Sequence, residues 1–148
     1  MPYFFVCPSC RRRVVDSDRR EGLTHQPIGC TSCGFGFLFE LMEDYYPGPN
    51  TGFVVCDARA RIIAAGRGIL ELTGYREHEL LGHEVMEAFG LAAEDGQDPA
   101  ALALEWGVRR LDQRLTMCMR SGTTKPVVCD FFPAYDEDGG LLVALSPG

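Results

Sequence analysis

The chain has 148 residues, a formal net charge of −7 and a hydrophobic content of 46%. This length suits one ordinary domain, or a small domain joined to a smaller one, and the hydrophobic content is too high for a disordered chain. The acidic charge gives no bulk attraction for nucleic acid, and no run of 18 apolar residues exists to span a membrane. The N-terminus also lacks the pattern of a signal peptide, so we expect a cytoplasmic protein.

Four of the seven cysteines form two closely spaced pairs near the N-terminus, Cys7 with Cys10 and Cys30 with Cys33. Each pair can place two thiolates on one tight turn, and two such turns complete a tetrahedron around one zinc ion. The alternative is a set of buried or redox-active thiols. His25 lies between the pairs without a partner at ligand spacing, so we do not expect it to be a ligand.

This double spacing resembles a zinc ribbon, which we place at residues 1–44. Four thiolates would leave no open coordination position, so the expected role of Zn2+ is structural. The segment also carries five arginines, three of them consecutive at Arg11–Arg13. These arginines could form a patch for nucleic acid or an acidic partner, but six acidic residues balance them, which favours an ordinary solvated loop or hairpin.

A short linker is expected after the ribbon. Residues 34–41 predict a strand with Phe35, Phe37 and Phe39 on one face, which could also pack on the next domain. Two prolines and two glycines within residues 43–52 stop regular structure, and we place the linker at residues 45–51. Because this linker is short, we expect the two domains to touch.

The next segment predicts a hairpin followed by helices. Apolar β-branched pairs at residues 54–55 and 62–63 flank a turn at residues 57–60. Two short helices, interrupted at Gly74, are predicted between residues 66 and 82, and a third between residues 83 and 90. A clearer helix begins at Pro99, with Asp98 as its N-cap, and ends at Gly107.

Three further strands are predicted at residues 110–120, 126–135 and 141–145. In the first strand, Leu111, Leu115, Met117 and Met119 are expected on one face. Short turns, at residues 120–123 and 136–140, make the three strands antiparallel neighbours.

This order of elements resembles the PAS domain family. The resemblance is carried by the stretch Leu72-Thr73-Gly74-Tyr75, the following Glu79-Leu80-Leu81-Gly82, and the flanking strands, over about residues 51–146. It implies an α+β fold with a five-stranded antiparallel sheet and helices on one face, which we place at residues 52–148. It also implies sensing or partner binding, and does not by itself imply an enzyme.

The resemblance further implies places to look for a cofactor. Some PAS relatives bind flavin through a cysteine, which the matching stretch at residues 68–73 lacks, and some bind haem through a histidine, for which His78 and His83 are the candidates. A small apolar ligand could occupy a pocket of the sheet. The weak candidates for this pocket are Leu115, Met117, Met119, Phe131 and His83.

No catalytic motif accompanies these features, so we do not expect an enzyme. The chain stops directly after its last predicted strand, and we expect its output to be a contact with a protein partner, possibly a second copy in a homodimer. The expected function is a non-catalytic cytoplasmic signalling adaptor. The alternatives are a transcription-associated regulator whose ribbon contacts nucleic acid, and a haem or small-ligand sensor.

Overall fold

A computed structural model describes residues 3–16, 30, 32–33, 35, 38–41, 44–134 and 140–148. Within these ranges the chain forms two antiparallel sheets in succession. His25, Phe37 and most of the turn predicted at residues 136–140 lie outside the described residues.

The first sheet is small and contains strands β1 (Tyr3–Val6), β2 (Arg13–Asp16) and β3 (Phe39–Leu41) in the order β2-β1-β3. The sequence did not lead us to expect β1 and β2. Among the described residues of the strand predicted at 34–41, only Phe39–Leu41 belong to β3. Phe35 lies outside it because its carbonyl accepts a hydrogen bond from the Cys30 N–H and closes the second cysteine turn.

The second sheet has five antiparallel strands in the order β5-β4-β8-β7-β6. The strands are β4 (Gly52–Cys56), β5 (Ile62–Ala65), β6 (Arg110–Cys118), β7 (Thr124–Pro133) and β8 (Leu141–Pro147). Four helices lie between β5 and β6. They are α1 (Ile69–Thr73), α2 (Glu77–Leu80), α3 (Val85–Ala88) and α4 (Pro99–Trp106).

Local side-chain chemistry fixes several of these boundaries. The Asp57 carboxylate accepts hydrogen bonds from the Arg59 and Arg61 N–H groups and shapes the turn between β4 and β5. The Asp98 carboxylate accepts from the Ala101 N–H and caps α4, which ends at Gly107 in the left-handed conformation. These boundaries confirm the predicted hairpin and the predicted start and end of α4.

The five-stranded sheet has an apolar core on each face. The helices cover one face, as predicted, and their side chains pack with alternate residues of the strands, among them Met117, Phe131 and Val143. The opposite face carries Phe53, Val55, Ala64, Phe132, Leu142 and Ala144, and packs against the small N-terminal sheet.

The prediction that Leu111 shares a face with Leu115 was wrong. Leu115 is buried in the core on the helix side, whereas Leu111 packs on the opposite face. The register of β6 shifts between Arg110 and Gln113, and Asp112 within this bulge has a φ of +54°. Because a bulge adds one residue to the strand, it reverses the alternation of side chains beyond it.

Candidate metal centre

The structure brings the four N-terminal cysteines together. The sulfur atoms of Cys7 and Cys33 are 3.5 Å apart, and those of Cys10 and Cys30 are 3.7 Å apart. All four sulfurs lie within 4.8 Å of one another. Two turns far apart in sequence therefore present four soft ligands to one point, and this cluster could hold a metal ion.

The first cysteine turn is held by backbone hydrogen bonds. The Arg11 N–H donates to the Cys7 carbonyl at 2.9 Å, and the Cys7 N–H donates to the Arg12 carbonyl at 2.9 Å. The Cys10 N–H points at the Cys7 sulfur, 3.4 Å away. These bonds fix the two sulfurs on the same side of the turn before any ion binds.

The thiols of the cluster have unequal acidities. Burial raises the pKa of Cys7 to about 12, although the N–H groups of Cys10 and Ser9 oppose this rise. Burial also raises the pKa of Cys10. At Cys30 the effect of burial is outweighed by hydrogen bonds from the Cys33 and Ser32 N–H groups, which lower the pKa to about 7. A bound cation would favour the thiolate form at all four positions.

The first cysteine turn also rests on the five-stranded domain. The Pro8 carbonyl packs against Gly66, which follows β5, so closely that a side chain at position 66 would overlap the Pro8 backbone. Next to it, the Arg67 N–H donates to the hydroxyl of the buried Ser9 at 3.4 Å. The cysteine cluster is thus built against the loop that leads into α1.

The three consecutive arginines point in different directions. The Arg11 guanidinium donates to the Thr51 carbonyl at 2.9 Å, which ties the cysteine turn to the start of β4. The Arg13 guanidinium lies over the Tyr46 ring, 3.9 Å from its centroid. Arg12 is exposed. Because two of the three side chains are used within the molecule, they do not form a single basic face.

The two sheets share one apolar core. Val6, Phe39 and Leu41 of the small sheet are buried against the strand face that carries Phe132. The Tyr45 ring meets the Phe132 ring edge to face at a centroid distance of 4.7 Å. Phe39 and Phe132 are therefore both buried within the molecule.

Polar contacts hold the connecting segment beside this core. Asp44 and Arg109 form a bidentate ion pair, with oxygen to nitrogen distances of 2.6 and 2.8 Å.

Burial raises the pKa of Tyr45, and the nearby Asp130 carboxylate raises it further. Burial also raises the pKa of Asp130, although hydrogen bonds from the Asp112 N–H and the Tyr45 side chain oppose the rise.

The five pocket candidates fall in different places. Met117 and Phe131 are fully buried within the helix-side core, Leu115 is nearly so, and Met119 packs partly buried against the same core. The side chain of His83 is exposed and does not join them. Leu115 also lines a surface cleft, but the other four candidates do not line that cleft.

The remaining cysteines lie away from the metal cluster. Cys56 and Cys129 are buried in the helix-side core, and burial raises the pKa of both thiols. Cys118 is half-buried at the end of β6. Buried thiols of this kind act as small apolar side chains.

The fold and the site define a five-stranded α+β module with a metal-competent cysteine cluster against one end. The model of the PAS domain family matches residues 50–146, and the chain belongs to this family. PAS domains are generally sensory or regulatory modules. The matched residues begin after the four cysteines.

Solved structures agree with this assignment. The chain is similar to the PAS domain of a protein from Colwellia psychrerythraea, with 20% identity over 65% of this chain and 85% of that one, and a TM-score of 0.52. It is similar to the LOV domain of the blue-light photoreceptor Aureochrome1, with 25% identity over 66% and 80% of the chains and a TM-score of 0.53. It is also similar to the fungal blue-light photoreceptor Vivid in its light-state dimer, with 16% identity over 70% and 82% and a TM-score of 0.56. No curated protein matched the chain.

None of the helices in the described residues is both long and apolar enough to cross a membrane.

Proposed function

We propose that this protein is a non-catalytic cytoplasmic regulatory adaptor, in which a structural zinc ribbon is fixed to a PAS module that acts through protein contacts. The observation that carries the proposal is the seating of the four-cysteine cluster on the PAS domain, through Pro8 on Gly66 and Ser9 on Arg67. We keep residues 1–44, 45–51 and 52–148 as the proposed ribbon, linker and PAS domain.

The sulfur geometry supports zinc at Cys7, Cys10, Cys30 and Cys33. Zinc–sulfur bonds of about 2.3 Å set neighbouring sulfurs of a tetrahedron about 3.8 Å apart. Two of the sulfur pairs, at 3.5 and 3.7 Å, lie near this spacing, and all four sulfurs lie within 4.8 Å of one another. Four thiolates fill the coordination sphere, so the metal would organise the fold and leave no site for a substrate. Thiolates of this kind also persist best in a reducing compartment such as the cytoplasm.

The ribbon gives the PAS sheet a fixed second layer. Phe53, Val55 and Phe132 would be exposed on the sheet face without the small N-terminal sheet. The ribbon alone is so small that it buries too little apolar area to be stable, and zinc would supply the missing folding energy. We therefore propose that zinc keeps this face closed and leaves other surfaces for partners.

A homodimer is the partner arrangement that we favour. Trp106 and Val108 are large apolar side chains with 71% and 59% of their surface exposed, at the end of α4 and just after it. Exposed aromatic side chains of this kind are frequent anchors of protein contacts. The similar photoreceptor Vivid is a dimer in its light state, which gives a precedent in the same fold.

Sedimentation equilibrium of the purified chain tests the dimer. We expect a concentration-dependent dimer, and Trp106→Ala should weaken it roughly tenfold or more. Trp106 is the only tryptophan of the chain, so its fluorescence should shift to the blue as the dimer forms.

Leu70→Ala is the matched control, because Leu70 is 42% exposed and lies on another helix. This variant should dimerise as the wild type does. A clean monomer at high concentration, or equal weakening by both variants, would exclude the proposed contact at Trp106.

A further inference from the structure

A cleft of about 480 Å³ lies at the junction of the ribbon and the PAS domain. Five separate segments form its wall. They are the first cysteine turn with Arg11, the linker with Asn50, the loop before α1 and α1 itself with Arg67 and Leu72, the start of β7 with Lys125, and the end of β8. Its volume falls in the usual range for small-molecule sites. Arg11 is the contribution of the ribbon to the wall, and the linker and the PAS domain supply the rest.

The charge of this cleft is opposite to that of the chain. Arg11, Arg67 and Lys125 oppose one acidic residue, Glu71, so the lining has a formal charge of +2. The complete chain has a net charge of −7, and Lys125 is its only lysine. A concave site with one sign of charge concentrates ligands of the opposite charge, so we expect this cleft to attract anions.

The basic side chains are available to a ligand. In the part of the chain that the structure describes, the side chains of Arg67 and Lys125 have no hydrogen-bond or ion-pair partner, whereas Arg61, Arg109 and Arg120 each pair with a carboxylate. Their charges at the cleft are therefore not neutralised by the protein itself.

Arg11 is held in place at the rim of the cleft. One guanidinium nitrogen donates to the Thr51 carbonyl, and the other nitrogens are left for further bonds. Its backbone has a φ of +65°, a left-handed conformation that is unfavourable for a non-glycine residue. Strained positions of this kind are often found at functional sites.

We propose that this cleft binds a small metabolite through a phosphate monoester group. Three cationic side chains suit the three terminal oxygens of a phosphate better than the two oxygens of a carboxylate, and guanidinium groups bind phosphate in bidentate geometry. Asn50 offers hydrogen bonds, and Leu72 and Pro147 offer apolar contact, for the organic part of the ligand. This site is independent of the proposed dimer contact.

Isothermal titration of the full-length chain tests this site with four probes: ribose 5-phosphate, ribose, adenosine monophosphate and adenosine. We expect the two phosphorylated probes to bind saturably and their uncharged counterparts not to bind. Inorganic phosphate should compete, and added salt should weaken binding. The double variant Arg67→Gln/Lys125→Gln should lose at least about tenfold in affinity, because it removes two charge-assisted hydrogen bonds to the phosphate.

Arg59→Gln is the matched control, since Arg59 is exposed in a turn outside the cleft. It should bind as the wild type does, and thermal melts should show that both variants remain folded. The proposal is overturned if no phosphorylated probe binds, if adenosine binds as well as its phosphate, or if the folded double variant keeps full affinity. The proposal is also overturned if a single-stranded oligonucleotide binds more tightly than the mononucleotide, because the cleft would then be part of a nucleic-acid-binding surface.

Discussion

Replacing Gly66 by alanine tests whether the ribbon rests on the PAS domain. A Cβ at this position would lie 2.6 Å from the Pro8 carbonyl carbon, closer still to its oxygen, and 3.0 Å from the Ser9 Cα. Real Cβ atoms essentially never come within 3.0 Å of another atom, and both neighbours are backbone groups that cannot rotate away. The first cysteine turn would have to move.

The size of the effect follows from this overlap. Overpacking of a closed site costs about 1–3 kcal/mol, which lowers the melting temperature of a chain of this length by roughly 2–12 °C. The displaced turn should also hold its metal less well. We therefore expect Gly66→Ala to melt earlier in calorimetry and to release zinc faster to a chromogenic chelator.

Gly48→Ala is the control for this experiment. Position 48 requires no left-handed backbone, and its nearest neighbour is the Thr51 hydroxyl at 3.3 Å, so a shift of a few tenths of an ångström relieves the contact. This variant should stay near the wild type in both assays. If Gly66→Ala also melts and releases zinc like the wild type, then Pro8 does not rest on Gly66 in solution and the proposed junction is wrong.

Three further predictions concern the junction. Phe132→Ala should lower the free energy of unfolding by about 3–5 kcal/mol in urea titrations, and Val128→Ala on the same strand by about 1 kcal/mol or less; equal losses would argue against the shared core. Removing zinc with a chelator should lower the melting temperature and increase binding of an apolar dye, and restored zinc should reverse both; unchanged melting would contradict a structural metal. Because burial raises the pKa of Asp130, the contribution of this carboxyl to stability should fall as the pH rises from below the ordinary aspartate range through that raised pKa. In urea titrations, the free energy of unfolding of the wild type relative to Asp130→Asn should therefore be smaller at neutral pH than at acid pH. The same difference at both pH values would refute that assignment.

The PAS elements were predictable because their signals are local. Asp57 shapes its own turn, Asp98 caps its own helix, and Gly107 ends that helix, so each boundary depends on residues a few positions apart. The alternation of side chains along a strand likewise predicts that Phe131 and Phe132 lie on opposite faces of β7, as the two cores have them.

Other features depend on contacts between distant residues. The bulge that turns Leu111 to the other face is held by a hydrogen bond from the Asp112 N–H to the Asp130 carboxylate, 18 positions away. Strand β2 begins at Arg13, the last of three consecutive arginines, in a segment that we interpreted as a solvated loop or hairpin. This strand is stabilised by its pairing with β1, which the local sequence does not reveal.

In the candidate site, too, one part is visible in the local sequence and another depends on contacts between distant residues. The spacing of the cysteines indicated that Cys7, Cys10, Cys30 and Cys33 belong together, because each pair spans one turn. The seating of Pro8 on Gly66 could not be predicted, since it joins segments separated by most of the ribbon and the linker. The cleft beside Lys125 likewise brings Arg11 next to residues that are distant from it in sequence.

The central claim is that four N-terminal thiolates hold one zinc ion against the PAS domain. Native mass spectrometry of the purified chain, followed by alkylation mapping, tests it most directly. We expect one zinc per chain, protection of the four N-terminal cysteines from alkylation, and loss of the metal in Cys30→Ser but not in Cys118→Ser. A folded chain without metal, with all four thiols open to alkylation, would contradict the claim.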